Sequence, residues 1–454
     1  MRRAISSACR SGAGHWRWWR LAWLLFAALS VTLPDAGPAR SAGAAPVPLL
    51  SKGGEPVDWW FAFKFNSQNT FAGCGAGTGK RTCIFGGNVQ AKEKFGQQFA
   101  VASSRANALS QGKGCVGATT GDPIGATFDQ VYNGDFNYVI WNDQFYGDPA
   151  LSTCKSSSCG APWGHSKGLL AWNDAGEGFV MQVSTPSWPG SGTSSIKRAA
   201  GNTLGCISSN NNLLASQHFF ALKLNKSDLI KVLNALRSAG VVTDPTKLQI
   251  VRNGGPADVQ ALVKQLGKRP AKLKVAPGDK LDPDDYFTKD ELSSKVLLIA
   301  KTSNLTAPPW QMVSAILDGT AERAATWWTT PKINTTTKSS KVGCLLPFVA
   351  PKQGEPILQK AQGPVAIALT GIWNDKEIKL NAPSNHAKIG VSVSGSHHYV
   401  IFGDLNQQGA LSPPDCGKSQ NGRGGLFFVL DNKALADSVT DLIDGDTAPV
   451  QGKP

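Results

Sequence analysis

The strongest constraint on the fold is a local frame that occurs twice. Gly164-His165-Ser166-Lys167 and Asn385-His386-Ala387-Lys388 each lead into an apolar run of strand character, a turn and a second such run. The second run ends in Val183-Ser184-Thr185-Pro186 in the first copy and in Gly403-Asp404-Leu405-Asn406 in the second. His165 precedes Ser184 by 19 positions and His386 precedes Asp404 by 18. The same order at nearly the same spacing predicts a degenerate internal repeat, and with it a chain built from two related halves. At 454 residues the chain is long enough to supply both.

The remaining pattern suits that division. Glycine is 49 of 454 residues, about 11% against a usual ~7%, which favours many turns and short strands over a helical bundle. Strands are expected at 57–65 (VDWWFAFKF, with Phe61, Phe63 and Phe65 on one face), 136–142, 169–172 and 179–184. A helix is expected over 227–240, with Ser227 as its N-cap, and a second over 257–268. The stretch GKRPAKLKVAPGDKLDPDD at 267–285 has no apolar period and reads as a linker, taken as 267–290, between halves 45–266 and 291–454. Beyond it come a strand at 296–300, a helical pattern from Trp310 to Ala321 and a β-like run at 326–330. Further strands follow at 365–370, 389–393, 399–403 and 426–430. Strands interleaved with helices in both halves indicate α/β or α+β. GCGAGTGKRT at 73–82 lacks the first glycine and the final Ser/Thr of a phosphate loop and reads as a turn.

Five arginines precede the apolar run Leu21–Leu33, and Ala42-Gly43-Ala44 offers small residues for cleavage, so residues 1–44 read as a signal peptide. The run is short for a membrane span, which takes about 18 apolar residues. An exported chain, periplasmic or secreted, is expected. Residues 1–44 carry six Arg and one Asp, so their removal lowers the formal charge from +14 to +9. The excess favours a polyanionic partner. Eight cysteines remain, Cys74, Cys83, Cys115, Cys154, Cys159, Cys206, Cys344 and Cys416, and in an exported chain they predict disulfides without fixing their pairing. No Cys or His spacing suits a metal site, and no metal or other cofactor is expected.

His-x-Lys in extended backbone puts an imidazole and a fixed cation on one face. A phosphodiester needs that pair twice. One imidazole attacks phosphorus, the other, protonated, donates to the leaving oxygen, and two lysines neutralise the non-bridging oxygens. His165, Lys167, His386 and Lys388 are therefore the candidate catalytic residues, with the order of the histidines left open. His218 in Gln217-His218-Phe219-Phe220 reads as a hydrogen-bonded core residue, and Trp59, Trp60, Trp327 and Trp328 read as core.

Several segments resemble the deoxyribonuclease II family of the phospholipase D-like superfamily. They are VDWWFAFKF (57–65), YVIWNDQ (138–144), GHSKGLLAWNDAGEGFVMQVSTPSWP (164–189), GNTLGCIS (201–208), NHAKIGVSV (385–393), YVIFGDLNQ (399–407) and GRGGLFFVL (422–430). The resemblance implies a phospholipase D-like pseudo-dimer, two mixed-sheet halves flanked by helices around one cleft. It implies a metal-independent acid endonuclease whose substrate is DNA and whose phosphohistidine intermediate leads to 3′-phosphate ends. It also implies supporting or phosphate-binding roles for Asp404 and Asn406, with Ser184 alone at that place in the first half. Where the family often has a further histidine, this chain has Gln182-Val183. Two other readings of the same fold are a phosphodiesterase of lipid headgroups and a non-catalytic polyanion-binding protein. No stable membrane association is expected, and the oligomeric state is open.

Overall fold

Strand alternation sets the layering. A computed structural model describes residues 43–66, 79–82, 88–91, 98–113, 120–132, 134–145, 151, 154, 158–186, 215–274, 282–345 and 362–452. The first sheet is made from β1 (Trp59–Lys64), β4 (Phe99–Ser103), β5 (Ala106–Gln111), β6 (Asn137–Asn142), β7 (Lys167–Trp172), β8 (Gly178–Val183), β9 (Gln217–Leu224) and β10 (Val251–Arg252). Between β1 and β4, β2 (Gly79–Thr82) and β3 (Asn88–Ala91) form a separate pair. The second sheet takes β11 (Phe287–Glu291), β12 (Val296–Lys301), β13 (Glu322–Ala325), β14 (Val365–Ile367), β17 (Ile389–Ser392), β18 (Tyr399–Gly403) and β19 (Gly425–Asp431). A hairpin of β15 (Thr370–Trp373) and β16 (Lys376–Lys379) stands apart. The helices are α1 (Pro123–Tyr132), α2 (Lys226–Ala239), α3 (Ala257–Val263), α4 (Pro309–Ile316) and α5 (Lys433–Ile443).

The order of five central strands, β6-β7-β8-β9-β1 and β13-β17-β18-β19-β12, matches across the two sheets, while the flanking strands enter at different points of the chain. The first runs β10-β6-β7-β8-β9-β1-β4-β5 and the second, read in the corresponding direction, β14-β13-β17-β18-β19-β12-β11. The helices keep step, with α1 before β6 as α4 is before β13, and α2 after β9 as α5 is after β19. The chain is thus mixed α/β with several sheets and few helices. All pairs of the first sheet are antiparallel, so only the second, through the parallel pair β13–β14, is mixed. Tight turns between sequential strands account for this. Between β7 and β8, for example, Asn173 Oδ1 accepts the N–H groups of Ala175 and Glu177, both at 3.0 Å.

The inward faces of the two sheets meet in an aromatic cluster. Phe220 stacks on Phe402 at 4.3 Å between centroids, and Phe61 lies 4.7 Å from Phe402. On β19, Leu426 and Phe428 join this core, while Phe427 and Val429 turn to the opposite face and join Trp310 of α4. On β1 the opposite face carries Trp60, whose indole N–H reaches Thr127 of α1 at 3.1 Å. Trp59, Trp60 and Trp328 are buried, as expected; Trp327 is only half-buried.

Several boundaries differ from expectation for local reasons. Asn225, not Ser227, caps α2, its Oδ1 accepting Asp228 N–H at 2.9 Å, and Gly240 ends the helix at φ 66°. Helix α4 stops at Ile316 because Asp318 and Gly319 turn left-handed, and α3 stops at Val263, ahead of left-handed Gly267. The run 326–330 is a loop, held by Gln408 Nε2 on Thr329 O at 2.9 Å and by the Trp328 indole on Ile333 O at 2.8 Å. Strand β11 begins at Phe287, inside the stretch whose composition reads as linker. Two disulfides, Cys154–Cys159 and Cys344–Cys416, fall among the described residues; Cys74, Cys83, Cys115 and Cys206 lie outside them. Residues 1–42 of the expected signal peptide (1–44) also lie outside, and among the described residues no helix is long and apolar enough to cross a membrane.

Glu322 of β13 is buried, and neither carboxyl oxygen has a hydrogen-bond partner among the described residues. Burial holds its pKa well above the ordinary value. A raised folded-state pKa costs nothing below the unfolded value and destabilises increasingly as pH rises from there toward the folded value. Glu322→Gln is therefore expected to leave the melting midpoint unchanged near pH 4 and to raise it by a few degrees near pH 8, as read by thermal unfolding at both ends.

Candidate active site

Each His-x-Lys enters its sheet at an equivalent place. Lys167 is the first residue of β7 and Lys388 immediately precedes β17, with His165 and His386 two residues earlier in extended lead-in segments. Each lead-in is tied to the other half of the chain. His165 N–H donates to Gly424 O and His386 N–H to Ser216 O, both at 2.8 Å, just ahead of β19 and β9 respectively. Gly164 and Gly424 both lack the room for a Cβ because Ala239 O, at the end of α2, lies against each. Glycine at these two positions lets α2 brace the segments carrying His165 and Arg423.

The exits of β8 and β18 repeat one motif with different side chains. Asp404 Oδ2 accepts Leu426 N–H at 2.8 Å, and Ser184 Oγ accepts His218 N–H at 2.8 Å. Ser184 also donates to Gln217 Oε1 at 2.7 Å, so its hydroxyl is engaged in joining β8 to β9. Asp404 does more. Its backbone oxygen lies 2.7 Å from His165 Nδ1. A carbonyl only accepts, so Nδ1 carries the proton and Nε2 of the neutral ring keeps its lone pair. Gln182 reaches across to Asp404 Oδ1 at 3.0 Å and to Leu426 O at 3.3 Å. Asn406 bonds to Gln408 at 3.2 Å within its own loop, and among the described residues no hydrogen bond joins it to either imidazole.

The two lysines differ in their partners. Lys167 Nζ sits 2.6 Å from Asp143 Oδ1 in a fully buried ion pair. Asp143 Oδ2 in turn takes Arg423 at 2.9 Å, and the same guanidinium reaches the carbonyl oxygens of Cys159, Trp163 and Gly164. Lys388 Nζ instead donates to His386 O at 2.5 Å, and among the described residues no carboxylate forms an ion pair with it. Behind them lie two further buried lysines at equivalent strand ends. Lys64 of β1 donates to Phe65 O and Ala215 O, and Lys301 of β12 to Thr302 O, Asn421 O and Arg423 O. His218 is fully buried; its Nδ1 accepts Lys388 N–H at 3.1 Å, the hydrogen-bonded core role expected of it.

Burial and mutual repulsion set the protonation of the site. Desolvation first, then Lys167, Arg423 and Lys388 against the opposing pull of Asp143, hold His165 well below the ordinary imidazole value. Desolvation, Lys388, Lys167 and Lys64 do the same to His386. The lysine of each half thus contributes to lowering the imidazole of the other. Burial and Lys167 bring Lys388 down to about 7, although Asp404 and Asp143 oppose this. Burial lifts the Asp404 carboxyl to about 7 against its hydrogen bonds and Lys167. For Asp143, burial is outweighed by Lys167, His165 and Arg423, and the carboxyl stays well below the usual range. His386 Nε2 is buried and has no hydrogen-bond partner among the described residues.

The sequence offers Asp143, at a strand end, as a turn residue with a supporting role at the site and Arg423, among glycines, as a turn residue or a phosphate contact, whereas nothing in it marks the buried Lys64 and Lys301. The one signal available for Asp143 and Arg423 was a charge beside strand-ending or glycine-rich segments. Among the described residues no group of three or more His, Cys, Asp or Glu could hold a metal ion.

No curated protein matches the chain. Residues 50–239 match the family model described as deoxyribonuclease II, a stretch that includes His165, Lys167, Asp143 and Gln182 and ends before the second His-x-Lys. The match covers the first half of the chain, which resembles the deoxyribonuclease II family over those residues.

Proposed function

We propose that the protein is a metal-independent endodeoxyribonuclease in which two phospholipase D-like halves form one cleft and cut DNA through a phosphohistidine. The observation that carries this reading is that each His-x-Lys frame is anchored on the other half, His165 Nδ1 on Asp404 O at 2.7 Å and His386 N–H on Ser216 O at 2.8 Å. His165 is the nucleophile, because its Nδ1–H is committed to Asp404 O and its Nε2 lone pair is free. Nε2 attacks phosphorus, the bond to the 5′-oxygen breaks, and protonated His386 gives its proton to that oxygen. Water then attacks phosphorus and passes a proton to His386, the P–N bond breaks, and a 3′-phosphate leaves while His165 Nε2 recovers its lone pair. Lys388 and Lys167 carry the charge of the non-bridging oxygens.

The pH dependence has a physical source. Both imidazoles are held neutral in the free protein, so the acid role of His386 requires low pH, helped by the bound phosphate, whose charge offsets the lysines. Rising pH removes that proton and, near 7, the charge of Lys388 as well. Two disulfides accord with folding in an oxidising, exported location. The test is plasmid cleavage by the purified chain in excess EDTA from about pH 4 to 8. Cutting that survives the chelator, declines on the alkaline side and leaves 3′-phosphate ends is expected. Cutting that needs added divalent metal would refute the reading.

A further inference from the structure

We propose that Trp327 is a specificity-determining residue that stacks on the nucleobase immediately 3′ of the scissile phosphate; this rests on the reading above. The register of the two sheets makes the comparison. Asn142 pairs with Lys167, which puts Asp143 beside Ser166, the middle residue of the first His-x-Lys. Ala325 pairs with Ile389, so one step on Thr326 faces Lys388 and Trp327 lies beside Ala387, the middle residue of the second. One position therefore holds a carboxylate in the first half and an indole in the second. The carboxylate is buried and bonded to Lys167 and Arg423. The indole packs against the His386 ring, with centroids 4.3 Å apart at 62°, and stays partly exposed while Thr326 and Trp328 on either side are buried.

That exposure is built in. Thr326 Oγ1 accepts Gln407 N–H at 3.2 Å, Gln408 holds Thr329 O at 2.9 Å and Gly409 N–H donates to Pro331 O at 3.0 Å. The Trp328 indole closes the same loop on Ile333 O. A rigid loop thus presents an aromatic surface next to the imidazole that protonates the leaving 5′-oxygen. The nucleoside bearing that oxygen is the one 3′ of the cut, and its base is the group within reach of the indole. Every base has a π-face, so such a contact discriminates base from no base without reading sequence.

The test uses the whole chain and an oligonucleotide with a single abasic residue, cut sites being mapped on a gel. The parent should cut the phosphate immediately 5′ of the abasic residue about 5–100-fold less than the same position in the unmodified strand, and the phosphate 3′ of it normally. Trp327→Ala should lose this contrast, cutting the two strands alike at that position, and Trp327→Phe should restore much of it. A uniform loss across all positions in Trp327→Ala with the contrast retained would overturn the proposal, leaving Trp327 as packing for His386. No contrast in the parent would overturn it as well. Failure of the parent to cut anywhere would overturn the nuclease reading and this one with it, a result distinct from the other two.

Discussion

Alanine at His165 or at His386 is expected to lower kcat/KM on DNA by about 10³-fold or more, and the double substitution to be little worse than either alone, if the two rings act on one bond as a unit, as proposed. The loss is chemical rather than structural. His165 contributes one hydrogen bond to Asp404 O, worth about 1 kcal/mol, and His386 one ring contact, so both variants should keep a cooperative unfolding transition close to the parent. Steady-state cleavage beside thermal unfolding separates the two effects. Full activity in either variant would contradict the two-imidazole site.

Asp143→Ala is expected to have the largest effect on stability, about 3–5 kcal/mol. The carboxylate lies between Lys167 and Arg423 with all three side chains largely out of water, so its removal leaves two cations buried without a counter-charge. Lys167→Met should cost less, since Asp143 keeps Arg423, yet it removes a cation from the transition state and should reduce turnover strongly. Chemical denaturation of the two variants checks the order, and equal stabilities would mean that Asp143 does not join the halves.

The two His-x-Lys frames were legible because their residue types are unusual together and each lies within a few positions of its strand. The groups that set their chemistry were not, because the fold recruits them from far away. Arg423 and Asp143 are 280 positions apart, and Gln182 and Asp404 222. Nothing local marks Gln182 as the residue that holds Asp404, or Lys301 as the one that pins the Arg423 carbonyl. Likewise β17 and β18 were readable as an alternating pair, whereas the correspondence of the central strands rests on pairings such as β1 with β9, and β12 with β19, that no local pattern encodes. Trp327 and Trp328 look alike in sequence. Only the loop contacts decide which indole is buried and which stands beside His386.

The covalent step is tested most directly with thymidine 3′-(p-nitrophenyl phosphate), whose leaving group departs without an acid. His386→Ala should release about one equivalent of p-nitrophenol per protein in a burst and then stall, because no base remains to activate water, and peptide mass analysis should place a thymidine phosphate on His165. His165→Ala should give no burst and no adduct. A burst that persists in His165→Ala, or turnover by His386→Ala with no adduct on any histidine, would contradict the phosphohistidine.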